Sequence, residues 1–148
     1  MKILLGINSL SSGGAEVFVT ELAVAYRQRN HEVTLIVYAG VLDDKGKDLF
    51  NKLIEHEIVV IDLSGKPRYL MPFFYITAIW RIRPDCVHSN LEQTDLLLAI
   101  TKFFNAGACY IRTLHNIKAH NGIPLFLHRW MFNRYDYIHR RTAHSLHH

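Results

Sequence analysis

A chain of 148 residues with 49% apolar and 20% charged side chains carries enough apolar matter for one globular core, which excludes a disordered or low-complexity protein. Its longest apolar stretch, residues 69–80, is shorter than the ~18–20 residues that span a bilayer, and the opening residues meet Gly6 and Asn8 too early to read as a secretory signal. The net charge of +4 is uneven: residues 1–110 hold 11 basic against 12 acidic side chains, whereas residues 111–148 hold Arg112, Lys118, Arg129, Arg134, Arg140 and Arg141 against Asp136 alone.

Short β-rich runs alternate with longer helical patterns. "KILLGIN" (2–8) reads as a buried strand. Over 15–29 the apolar residues Ala15, Phe18, Leu22 and Tyr26 recur every three to four positions, which predicts a helix with that stripe inward. Strands are predicted at 31–39, 58–63, 85–90 and 109–116, with a sixth beginning in "YDYI" near the end. The intervening helices fall at 43–57, 70–82 (closed by Arg83-Pro84), 91–107 (stopped by Gly107) and 123–135. This alternation implies an α/β fold: a Rossmann-like, doubly wound parallel sheet with helices on both faces. Ligands of such sheets bind beyond the carboxyl ends of the strands, so residues 8–16, 88–92 and 114–121 are the ones to watch. The final "HRRTAHSLHH" has no apolar period and is expected to be a disordered tail, so the domain is set at 1–138 and the tail at 139–148.

The stretch "NSLSSGGAE" (8–16) follows the first strand. A dinucleotide-binding fold asks for G-x-G-x-x-G here and an acidic residue closing the second strand. Neither is present, and the P-loop pattern is absent too. Gly13 and Gly14 would still let the backbone approach an anion, and the helix that follows aims free N–H groups at it. The plainer reading is a helix cap, with Ser12 or Gly13 as N-cap and Glu16 satisfying a first-turn donor; the two are compatible. His88 and His115 stand near the ends of neighbouring strands, in "HSN" and "LHN", and bring Asn90 and Asn116 with them. No nucleophile elbow or triad surrounds them, so a hydrolase is disfavoured. His115 is left to polarise a sugar hydroxyl or a developing leaving-group charge.

Two further features have plain and sharper readings. The 69–80 stretch is framed by Lys66, Arg68, Arg81 and Arg83; it reads as a buried helix or as a membrane-surface helix against anionic headgroups. Cys86 and Cys109 lack metal-site spacing and read as buried free thiols of a reducing, cytoplasmic compartment. The basic end suits anionic lipid or a nucleotide diphosphate; no nucleic-acid motif accompanies it, so no nucleic-acid partner is expected.

Three segments together resemble the amino-terminal domain of the family-4 glycosyltransferases: "GGAEVFVTELAVAYRQRNHEVTLIV", "RPDCVHSN" and "IRTLHN". The resemblance covers residues 2–138. It implies a GT-B transferase, in which two Rossmann-like domains face each other across a cleft and a sugar moves with retention of anomeric configuration, without a metal or other cofactor. The substrates implied are a nucleotide-diphosphate sugar and a glycan or lipid-linked acceptor, as in cell-envelope polysaccharide synthesis, with a peripheral contact at the inner face of the membrane. Carried over by position, Gly13 and Gly14 would lie at the donor's diphosphate with Asn116 beside the transferred sugar, and His115 would be the catalytic residue. Glu16, His88 and Asn90 would line the acceptor side. The family's donor-binding domain carries paired glutamates eight positions apart. None of the six glutamates here has such a mate, so the chain reads as the acceptor-side half, inactive or nearly so alone. The alternative is a non-catalytic binding module that works with a separate donor domain or a membrane complex.

Overall fold

The computed structural model describes residues 1–90, 92–105, 107–114 and 137–140. In chain order the elements are β1 (Lys2–Ile7), α1 (Gly14–Gln28), β2 (Glu32–Val37), α2 (Asp44–Glu55), β3 (Val59–Asp62), α3 (Met71–Ile82), β4 (Cys86–Ser89), α4 (Glu92–Thr101), β5 (Cys109–Leu114) and β6 (Tyr137–Arg140). The strands form one parallel sheet in the order β3-β2-β1-β4-β5-β6. This is the expected Rossmann-like arrangement, and the predicted helix 123–135 lies outside the described residues.

Helices cover both faces, which is why the central strand is an unbroken apolar run rather than an alternating one. Ile3, Leu5 and Ile7 point one way, into a core shared with Val19 and Ala23 of α1 and Leu49 and Leu53 of α2. Leu4 points the other way, against Met71, Tyr75 and Ile79 of α3 and Leu97 and Leu98 of α4. At Gly6 the strand has no side chain because α4 presses on it there: a Cβ would collide with Thr94 Cγ2.

Helix boundaries follow local chemistry. The buried line of α1 is Glu16, Val19, Thr20, Ala23 and Val24, one position beyond the predicted stripe. Phe18, Leu22 and Tyr26 cover the rim of that core instead. The apolar arc of this helix is broad, and its smaller residues take the centre because they allow a closer approach to the sheet. The helix ends where Asn30 turns left-handed (φ 66°) and His31 N–H donates back to Tyr26 O at 3.2 Å, a Schellman-type stop. For α4 the break comes before the predicted Gly107. After Thr101 the chain tightens into a 3-10 turn, Lys102–Phe104, as the Thr101 hydroxyl donates to Leu98 O at 2.6 Å and meets the Tyr110 hydroxyl at 3.0 Å.

Two other expectations shift. The sheet takes up His139 and Arg140 in β6, two residues past the domain end expected from sequence; residues 141–148 lie outside the described ones. Cys86 and Cys109 are free thiols but only half-buried, and they stand opposite each other in the β4–β5 register. Burial, with the neighbouring Cys109 thiol, pushes the Cys86 thiol up to about 11.

Candidate functional site

The strand order reverses at β1, whose neighbours are β2 on one side and β4 on the other. In a parallel sheet this switch point opens a crevice beyond the carboxyl ends of the two strands, because their outgoing connections leave toward opposite faces. The glycine loop after β1 and the segment after β4 flank that crevice, so topology alone brings together two of the sequence-predicted regions.

The loop between β1 and α1 is pinned from three directions. Its backbone continues to pair with the chain leaving β2: Ala39 N–H donates to Asn8 O at 2.6 Å, Leu10 N–H to Gly40 O at 3.0 Å and Leu42 N–H to Leu10 O at 2.9 Å. Asp43, the N-cap of α2, accepts from Gly46 N–H at 2.7 Å and from Ser12 N–H at 3.1 Å. These two backbone donors stabilise the charged form, Gly46 foremost, and hold the Asp43 carboxyl below its ordinary value. From the opposite face of the sheet, the Thr94 hydroxyl of α4 donates to Asn8 Oδ1 at 2.9 Å. The loop is therefore fixed before any ligand arrives.

Within it the two glycines differ. Gly13 is the N-cap of α1, in extended backbone and without a side chain to cap the helix. Its open flank is already filled by the chain's own Glu16, whose carboxylate a Cβ would strike. Glu16 is buried and accepts from the Ser11 hydroxyl at 3.2 Å. Gly14 has nothing within 4 Å of the place a Cβ would occupy. Sequence reading treated the pair alike; space remains only over Gly14. Glu16 bonds a loop hydroxyl, a tether that the capping pattern did not foresee.

His88 and Asn90, expected on the acceptor side, are set into the sheet. His88 is buried, and its Nε2 lies 2.5 Å from the Thr113 hydroxyl of β5. Asn90 is fully buried, and its Nδ2 donates to Gly6 O and His88 O, each at 3.2 Å. That amide ties β1 to β4 where the two begin to diverge, and its Oδ1 accepts nothing from the described residues. His115 and Asn116 lie outside the described residues, as does the connection between β5 and β6.

Sequence reasoning missed Thr113, Thr94 and Arg112. The two threonines are ordinary in their runs and carry no signal. Arg112 was counted in the basic end, yet it is fully buried. An arginine inside the apolar run "CYIRTL" was the available clue, since an arginine is seldom buried unless it is paired.

A Rossmann-like sheet with a glycine-bearing loop at its switch point is an architecture that GT-B glycosyltransferases share with other α/β proteins, and the family match decides among them. The chain belongs to glycosyltransferase family 4: the model described as "Glycosyltransferase Family 4" matches residues 12–146. A comparison with curated protein sequences gives no significant match.

Solved structures agree in fold. Anabaena Alr3699/HepE in complex with UDP and glucose is similar over 90% of this chain and 35% of its own, at 25% identity and a TM-score of 0.64. A glycosyltransferase from Rickettsia africae is similar over 87% of this chain and 32% of its own, at 20% identity and a TM-score of 0.61. Acinetobacter baumannii MurG is similar over 98% of this chain and 42% of its own, at 9% identity and a TM-score of 0.66. The chain thus spans about a third of the length of the first of these neighbours.

Proposed function

We propose that this chain forms the acceptor-side wall of a retaining glycosyltransferase that moves a hexosyl group from a nucleotide-diphosphate sugar to a glycan or lipid-linked acceptor of the cell envelope. The observation that carries the reading is Gly14: an uncapped helix N-terminus with open space above it, at the switch point of a parallel sheet. Such a spot takes an anion, because unsatisfied N–H groups and the helix dipole both favour negative charge. Family membership and the UDP bound by HepE favour a nucleoside diphosphate as that anion.

In the reaction the bond between the anomeric carbon and the diphosphate oxygen breaks, and the diphosphate leaves with the electron pair. The acceptor oxygen bonds the same carbon on the same face, and one proton is released. The chain's part is to place the diphosphate over Gly14 and to present the acceptor. Buried His88 and Asn90 act from within the sheet edge by fixing the crevice walls. His115 polarises the transferred sugar with Asn116 beside it, and neither metal nor cofactor is needed. The donor's base and sugar are gripped by a second, donor-side domain, and the enzyme works in the cytoplasm, at the membrane's inner face.

Titration calorimetry of the full chain with UDP and with GDP tests this. Hydrogen bonds to charged groups contribute about 1.5–3 kcal/mol, so Gly14→Val is expected to weaken binding at least about tenfold while the melting temperature holds. Binding that survives Gly14→Val unchanged, or no binding of either nucleotide, overturns the assignment of the loop.

A further inference from the structure

Cys86 and Cys109 are the two thiols of the chain, and the fold sets them face to face. Strands β4 and β5 run parallel with Cys86 opposite Cys109, and residues directly opposite in a sheet send their side chains to the same face. The pairing is fixed at this point by the backbone, since Cys109 N–H donates to Asp85 O at 3.0 Å. The two thiols are hydrogen-bonded to each other. Both are free and half-buried, and Cys86 packs against the core beneath α1.

The spacing suits a covalent bond. Neighbouring strands lie about 4.8 Å apart, inside the Cα separation of about 4.4–6.8 Å that a disulfide spans. A bridge that stays partly exposed is also of the kind that is readily reduced. In a reducing compartment such a bond is transient, formed under oxidising conditions and lost when they pass.

We propose that Cys86 and Cys109 form a reversible redox site that closes to a disulfide on reaction with a small-molecule disulfide of the glutathione type, Cys109 reacting first. The Cys109 thiol loses its proton to water and its sulfur attacks one sulfur of the reagent. The reagent's S–S bond breaks, and one glutathione leaves with the electron pair and regains a proton. Cys86 then gives its proton to water, bonds the Cys109 sulfur and expels the second glutathione in the same way. Two protein thiols are oxidised to one disulfide, and one reagent disulfide is reduced to two thiols. The order follows from the surroundings. Burial, joined by the neighbouring Cys109 thiol, holds Cys86 in its neutral form, whereas the thiolate is the nucleophile. Cys86 acts second, when its target is already held beside it and no bimolecular encounter is needed. The closed bridge fastens β4 to β5 just before His88, below the contact of His88 with Thr113. The inference rests on this pair and is independent of the transferase reading.

Incubation of the folded full chain with oxidised glutathione, followed by acid quenching and mass spectrometry, tests it. The expected product is a monomer lighter by two hydrogens, whose peptide map joins Cys86 to Cys109 and which dithiothreitol returns to the starting mass. Cys86→Ser is expected to stop at one glutathione, carried on Cys109. Cys109→Ser should react at least about tenfold more slowly than Cys86→Ser. In urea the wild-type bridge should close at least about tenfold more slowly than in the folded chain, because the register that pairs the thiols is lost. A chain that stays reduced, that keeps glutathione on both cysteines, or that links to a second chain overturns the proposal. So does a Cys109→Ser variant that reacts as fast as Cys86→Ser, or an unfolded chain that closes as fast as the folded one.

Discussion

At Gly46, in the first turn of α2, a Cβ would collide with the backbone carbonyl of Leu10, and backbone cannot swing aside. Gly46→Ala is expected to cost about 1–3 kcal/mol, the usual penalty of overpacking. Gly14→Ala should be neutral or stabilise by up to about 1 kcal/mol, because it meets open space and lowers the freedom of the unfolded chain. Equilibrium urea unfolding of the two variants checks the contrast, and equal losses would mean that Gly14 is as enclosed as Gly46. Nothing in "SSGGAE" distinguishes Gly13 from Gly14, since the difference is made by where the Glu16 side chain turns. The same limit applied to His88 and Asn90. Their place at a strand end was legible from sequence, but their burial was not, because it depends on Thr113 and Gly6 from other strands.

The elements themselves were readable because local signals and tertiary demands agree. Strand β1 is apolar on both faces, as a central parallel strand must be, and α3 ends at Ile82 because the residue before Pro84 is barred from continuing a right-handed helix; Arg83 leaves it through the left-handed region (φ 49°) rather than through extended backbone. The misread helix end at α4 shows the other case: Thr101 carries no stop signal until Tyr110 arrives from β5 to bond it. The stop of α1 is instead local, and it rests on a non-glycine residue in the left-handed region, Asn30. Asparagine tolerates that conformation but glycine adopts it freely. Asn30→Gly is expected to raise stability by up to about 1 kcal/mol, read as an upward shift of the melting temperature. A fall would show that the asparagine side chain holds the turn through contacts of its own.

For the whole molecule, protection should follow depth in the sheet. Leu4 and Leu5 of β1 are fully buried, whereas Val59 in the edge strand β3 is 59% exposed. Native-state hydrogen exchange is expected to find the slowest amides in β1 and β2 and markedly faster ones in β3; comparable protection across all three would contradict the packing described. The distribution of apolar surface follows the same logic: β1 is buried on both faces, and among the described residues the exposed aromatics gather on the outer side of α3 and in the turns Arg68–Leu70 and Lys102–Phe104. Their number could be counted in the sequence, but not which of them would face outward.

The position of β1 has one more consequence. Of the six strands of the sheet this one comes earliest in the chain, yet it lies inside the sheet. Ile3 pairs with Val33 on one side and with Cys86 on the other. During synthesis its first edge is satisfied early, by a partner some thirty residues behind, while the other stays open until β4 has emerged. For that interval a flat apolar edge with unpaired amides is exposed, the kind of surface that recruits other chains. The chain's vulnerability to aggregation is therefore concentrated in a window of translation between β2 and β4.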